Sequence, residues 1–225
     1  LITFILWKSV KPQITSTNNV VVETIDKTAT QTKEGTSEVV TEPTTPARTS
    51  YNMFFAGDIL LDNTSITNLY DSKGISGIID TDLQADMVNA DICMANNEFA
   101  FSTRGTPMEE KQFTFRANPS YVKVLNELGL DVVSLANNHA LDYGKEALTD
   151  TFNALDKANI FYSGAGADKE RATKAYYKDL GDTRIGILSA SRVIPVANWN
   201  IDISSPGMLC SYGTETLLRT INETK

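Results

Sequence analysis

DVVSLANNHALDYG, residues 131–144, opens as an apolar run with β-branched residues and passes without a break into a polar turn. A short run with Val132 and Val133 at its centre and no polar alternation predicts a strand buried on both faces, as parallel sheets require when other layers cover them. Immediately upstream, Asn118 and Pro119 supply a cap and a first-turn proline. Tyr121, Val122, Leu125 and Leu128 then share one helical face, and Gly129 can end the helix. Downstream, a second helix is expected from Lys145 to Ala158, with Leu148, Thr151, Phe152 and Leu155 on its inner face. A helix, a buried strand and a second helix in succession are the repeat of an α/β domain.

The same reading extends in both directions. Tyr51 to Ala56 predicts a first strand, Asp82 to Ala90 a helix and Asp91 to Ala95 (DICMA) a second strand; Ile160 to Tyr162 restarts a strand, and Gly213 to Glu223 can form a helix. Ala175 to Leu180 and Thr183 to Ser189 predict a hairpin about Gly181 and Asp182. The expected architecture is a mainly parallel central sheet that carries this hairpin, with helices on both sides. Residues 97–118 lack periodicity, and a stretch of that length in a compact domain is usually functional or contains unrecognised structure.

With 225 residues, 41% hydrophobic and 21% charged, the chain can bury one sizeable core. The formal charge of −8 and the lack of a basic stripe exclude a nucleic-acid partner. Cys93 lies in an apolar run and reads as a packed thiol, and Cys210 has no second ligand at metal-binding spacing. The opening LITFILW (1–7) reads as the end of a membrane anchor or signal segment, or as part of a buried strand. Residues 8–50, rich in Thr, Ser, Glu and Pro, read as a disordered linker, and 51–225 as the folded domain. The first residue is Leu1, and the chain stops at Lys225 without a closing strand, so an incomplete chain is expected.

Three polar clusters follow the apolar strands: Gly57 and Asp58; Asn96, Asn97 and Glu98; Asn137, Asn138 and His139. The carboxyl ends of strands are where α/β sheets place their sites, and carboxylates, amides and an imidazole suit a divalent cation. Each residue also has a plainer reading. Asp58 can form a turn, Glu98 can be solvated, Asn138 can sit in a left-handed turn, and His139, the single histidine, can be structural. Asp142 reads as the cap of the following helix, with Gly144 allowing a tight turn.

SLANNHALDYG, at Ser134 to Gly144, is similar nearly letter for letter to the signature of the CapA (PgsA) family of poly-γ-glutamate capsule-synthesis proteins, a branch of the calcineurin-like metallophosphoesterase superfamily. The resemblance extends to Ala56–Gly57–Asp58, to Asn96 and Glu98, to Phe115 and Pro119, and to Gly164 and Gly166, and covers about residues 52–191. It implies a layered metallophosphoesterase-like sandwich, truncated at its C-terminus. It also implies two divalent ions (Mn, Fe, Zn or Mg) held in part by Asp58, Glu98 and Asn138, with His139 acting at a phosphoryl group and Asn96, Asn137 and Asp142 in support. As partners it implies a membrane-bound capsule-synthesis complex and γ-polyglutamate or a phosphoester substrate, on the extracytoplasmic face of a bacterial membrane. Two features depart from the superfamily. Asp58 is followed by Ile59 and Leu60 where Asp-x-His is usual, and no histidine follows His139. A metal-dependent phosphoester hydrolase and a non-catalytic subunit of a polymer synthesis and export complex are therefore both expected readings.

Overall fold

The computed structural model describes residues 2–10, 50–62 and 65–224. In chain order the strands are β1 (Ile2–Val10), β2 (Met53–Ile59), β3 (Ile92–Asn97), β4 (Ala100–Phe101), β5 (Arg116–Ala117), β6 (Val132–Ser134), β7 (Phe161–Ser163), β8 (Ala165–Gly166), β9 (Tyr176–Leu180), β10 (Thr183–Ser191) and β11 (Gly207–Met208). The helices are α1 (Ser65–Lys73), α2 (Thr81–Val88), α3 (Val122–Glu127), α4 (Gly144–Lys157), α5 (Lys169–Ala172) and α6 (Thr214–Glu223).

β2, β3, β6 and β7 form a parallel sheet in that spatial order. Alternation along β3 decides what lies on each face. Cys93 and Ala95 point into a core with Val124 and Leu125 of α3 and Leu148 and Leu155 of α4. Ile92 and Met94 point the other way, with Val132, onto Leu180 and Ile187 of the hairpin. Helices do lie on both sides of the molecule, but only one face of the parallel sheet meets them directly: α6 packs Leu217 and Ile221 against Leu188 and Ala190 on the outer side of β10. The hairpin is not carried within the central sheet. It forms a second, antiparallel sheet in the order β1-β10-β9, which covers the face opposite α3 and α4. The physical reason is the row of inward apolar residues on β9 and β10, which buries more surface against β3 and β6 than it would at a sheet edge. The result is an α/β sandwich of helices, parallel sheet and antiparallel sheet.

Local signals place the elements that carry the site. The Asn118 side chain accepts from the Ser120 amide at 2.9 Å, and Pro119 follows in the first turn that leads into α3. At the other end, Gly129 has φ +73°, and a Cβ there would lie 2.7 Å from Cα of Val88. Only glycine permits both that backbone conformation and that approach of α3 to the end of α2. Residues 97–118, left without structure in the sequence reading, contain the short parallel pair β4 and β5, with Ala100 opposite Arg116 and Phe101 opposite Ala117.

Ile2–Val10 forms a strand, the alternative reading of the opening apolar run. It pairs with β10 from Ile2 opposite Ser191 to Val10 opposite Thr183, so the boundary set at residue 8 falls inside it. The linker expectation for residues 11–49 lies outside the described residues. Among the described residues, no helix is long and apolar enough to cross a membrane.

Candidate functional site

The three polar clusters meet at the carboxyl ends of β2, β3 and β6. β2 runs three residues further than its apolar stretch suggested, with a register shift between Phe55 and Asp58 that brings Asp58 opposite Asn96. A bulge of this kind re-aims the side chains that follow it. Here Nδ2 of Asn96 donates to Oδ1 of Asp58 at 2.8 Å. Glu98 lies two residues beyond Asn96, so strand alternation sends it to the same side, and its amide is held by the Ile59 carbonyl at 3.1 Å. Asn97 points the opposite way. Its Nδ2 donates to the Phe99 carbonyl at 2.6 Å, and its buried Oδ1 has no hydrogen-bond partner among the described residues.

Asn137 is fully buried and ties the turn after β6 to the end of β3. Its Nδ2 donates to Oδ1 of Asn96 at 3.0 Å and to the Asn97 carbonyl at 2.9 Å, while its Oδ1 accepts the His139 amide at 2.9 Å. An asparagine offers donors and an acceptor on one rigid plane, and all of these bonds draw on both ends of it. Asn138 is half-buried, and its carbonyl accepts from the Lys111 ammonium.

Asp142 does not cap the next helix. The residue before α4 is Tyr143, which makes no side-chain cap, and α4 starts at Gly144 with φ +78°. The Asp142 carboxylate instead turns inward and is fully buried. Its Oδ2 lies 2.7 Å from Nδ1 of His139 and accepts the Phe115 amide at 2.8 Å, and its Oδ1 accepts from Lys111. These neighbours offer stronger hydrogen bonds to an anion than the exposed first turn of α4 does. Because the carboxylate only accepts, the bond to Asp142 places a ring proton of His139 on Nδ1. His139 is 8% exposed and packs against the Phe115 ring with centroids 4.6 Å apart.

Glu98 carries the clearest electrostatic mark. Burial pushes its carboxyl above the ordinary range, the Asp58 carboxylate pushes it further, and His139, the Asn96 amide and Lys111 draw it back. Asp58, Glu98 and His139 therefore share one electrostatic neighbourhood. The Asp58 carboxylate, by raising the cost of ionising Glu98, makes with it a pair that fits the beginning of a cation's donor set. Among the described residues, however, no group of three or more His, Cys, Asp or Glu side chains could hold a metal ion.

Lys111 and Trp199 belong to the same constellation as Phe115 and, unlike it, were not singled out in the sequence. Met108 donates its amide to the Asp142 carbonyl at 2.8 Å, and Phe115 donates to the Asp142 side chain. The loop is thus pinned on both sides of Lys111, and the lysine between them faces the histidine turn. The ammonium also lies over the Trp199 ring, 5.3 Å from its centroid.

The class of protein that the structure defines is an α/β sandwich with a buried His–Asp couple and two carboxylates at the ends of its parallel strands. Its family follows from comparison with known proteins. Residues 52–208 match the family model described as bacterial capsule synthesis protein PGA_cap, and the chain belongs to that family. A probable polyglutamine synthesis accessory protein of Mycobacterium tuberculosis is 34% identical over 121 residues, which are 52% of this chain and 32% of that protein. The capsule biosynthesis protein CapA of Bacillus anthracis is 31% identical over 116 residues, 52% of this chain and 28% of its own length. The PGA biosynthesis protein CapA of Bacillus subtilis is 37% identical over 76 residues, 33% of this chain and 20% of its own. The matched stretch thus spans about a third or less of each of these curated relatives.

Proposed function

We propose that this chain serves the synthesis of a γ-linked polyglutamate capsule through a phosphoester-hydrolase type of site, centred on His139 and facing out of the cell. The observation that carries the reading is the His139–Asp142 couple, set beside Asp58 and Glu98 at the ends of parallel strands. With Nδ1 bound to Asp142, Nε2 of His139 is the ring position able to give or take a proton at a substrate oxygen. Asp142 holds the ring's orientation. Asn137 fixes the backbone of the same residue. Asp58, Glu98 and Asn138 are the donors that this chain would contribute to a divalent cation, which when bound would supply Lewis acidity and an activated water.

The test is release of phosphate from a panel of phosphomonoesters and of the leaving alcohol from a panel of phosphodiesters, with Mn²⁺ present, for the wild-type chain and His139→Ala, together with capsule formation in cells carrying each. Loss of at least about 100-fold in turnover on removing the general acid–base is expected. If the wild-type chain hydrolyses nothing and His139→Ala leaves the capsule intact, the proposal fails.

Ile59 and Leu60 after Asp58, in place of the usual Asp-x-His, favour one competing reading, a non-catalytic member of a membrane-bound polymer synthesis and export complex. Full capsule formation by an Asp58→Ala, His139→Ala double variant that binds no metal would select it.

A further inference from the structure

Lys111 has an environment unlike that of a solubilising lysine. Its side chain is 16% exposed, and its ammonium donates to Oδ1 of Asp142 and to the Asn138 carbonyl. It lies 3.2 Å from Nδ1 of His139 and over the indole of Trp199. An ammonium carries three protons and no acceptor. Two of them have oxygen partners, and the ammonium also stands beside the imidazole and over the indole, whose face attracts a cation.

The division of acceptors within Asp142 gives this arrangement its consequence. Oδ2 serves His139 and the Phe115 amide, while Oδ1 serves Lys111. A fully buried carboxylate without a cation beside it would draw in water or turn toward other donors. The Asn138 carbonyl, held by the same ammonium, belongs to the peptide that leads into His139. A single side chain therefore fixes the carboxylate that orients the ring and the backbone that carries it. We propose that Lys111 is the positioning residue of His139: it holds Asp142 and the Asn138 peptide so that Nδ1 stays bound and the ring keeps one orientation. The functional meaning rests on the reading of His139 given above; the geometry does not.

Because the chain has a single histidine, its ring nitrogens can be assigned without ambiguity in ¹⁵N-labelled protein. At about pH 9, far above the ordinary imidazole range, the wild-type spectrum should show one tautomer, protonated at Nδ1. The Lys111 ammonium protons should show through-space contacts to the His139 ring and the Trp199 indole. In Lys111→Met, with backbone amide signals still dispersed, the ring N–H should exchange with water at least about tenfold faster, and the second tautomer should appear. An unchanged ring spectrum and exchange rate in that variant would overturn the proposal. If Lys111→Met does not fold, the wild-type contacts decide: their absence overturns the assignment and their presence supports it. Neither measurement needs turnover. A null result in the phosphoester assay leaves this one standing, and an unchanged ring in Lys111→Met refutes the positioning role without touching the role of His139.

Discussion

Replacing Asn137 with alanine removes the brace between β3 and the histidine turn, and the structure sets the size of the effect. Three hydrogen bonds disappear, at 3.0, 2.9 and 2.9 Å. The groups left behind, the Asn96 side chain, the Asn97 carbonyl and the His139 amide, belong to residues at most 8% exposed. A buried hydrogen bond contributes about 1 kcal/mol net, and each orphaned partner costs about 1–3 kcal/mol unless water reaches it. A water entering the small void left by the amide would restore part of the loss. The expected destabilisation is therefore about 3 kcal/mol, with a melting temperature lower by about 6–12 °C for a chain of this size. Urea denaturation followed by far-UV circular dichroism measures it, with the slope against denaturant checked to be unchanged. Asn137→Asp should cost at least as much. It keeps the acceptor for the His139 amide but sets oxygen against the oxygens of Asn96 and Asn97. A loss below about 0.5 kcal/mol for both variants, the range of ordinary surface substitutions, would show that Asn137 does not brace the turn.

Two further outcomes concern ionisation. In chelator-treated protein the raised Glu98 pKa means that the fold prefers the protonated acid. Its favourable contribution is complete below the unfolded value of about 4.3 and is lost as pH rises through the folded value. Glu98→Gln should therefore be more stable than wild type at neutral pH, with the difference closing on acidification; a less stable Glu98→Gln under those conditions would refute the carboxylate repulsion. Burial, with Asp131 nearby, pushes the Cys93 thiol up to about 11, and burial, with Asp202 nearby, pushes Cys210 up to about 12. Since the thiolate is the reactive form, neither should react with an aromatic disulfide at about pH 8 until denaturant is added. Prompt labelling of the native protein at either position would contradict the packed-thiol assignment.

The strand ends were legible because burial and polarity change at the same residues. In both DICMA and DVVSL, apolar side chains supply two faces at once, which only a central parallel strand can use, and the polar residues that follow must emerge at its carboxyl end. The convergence of Asp58, Glu98 and His139 follows from that rule with no knowledge of contacts. Two features were not legible. The hairpin about Gly181 was recognised as a hairpin, yet its place as a separate layer depends on Leu180 and Ile187 meeting Ile92, Met94 and Val132, residues far away in the chain. Asp142 read as a helix cap because an aspartate before a glycine-led helix has a local use for its oxygens; partners as distant as Lys111 and the Phe115 amide outbid that use.

Lys111 shows why the remainder of the site was hidden. Beside Glu109 and Glu110, in a stretch with no helical or strand period, a lysine reads as solvated, and nothing in its immediate neighbours says otherwise. Its burial is decided by the two ties from Met108 and Phe115 to Asp142, which leave the lysine between them on the inner side of the loop. Both ties end on Asp142, whose carboxylate also meets His139. Lys111 thus joins the histidine turn through space, by contacts that no local pattern announces. A sequence reader who grants the turn after β6 its function should therefore look for the missing cation in the long aperiodic segment that has to cover it.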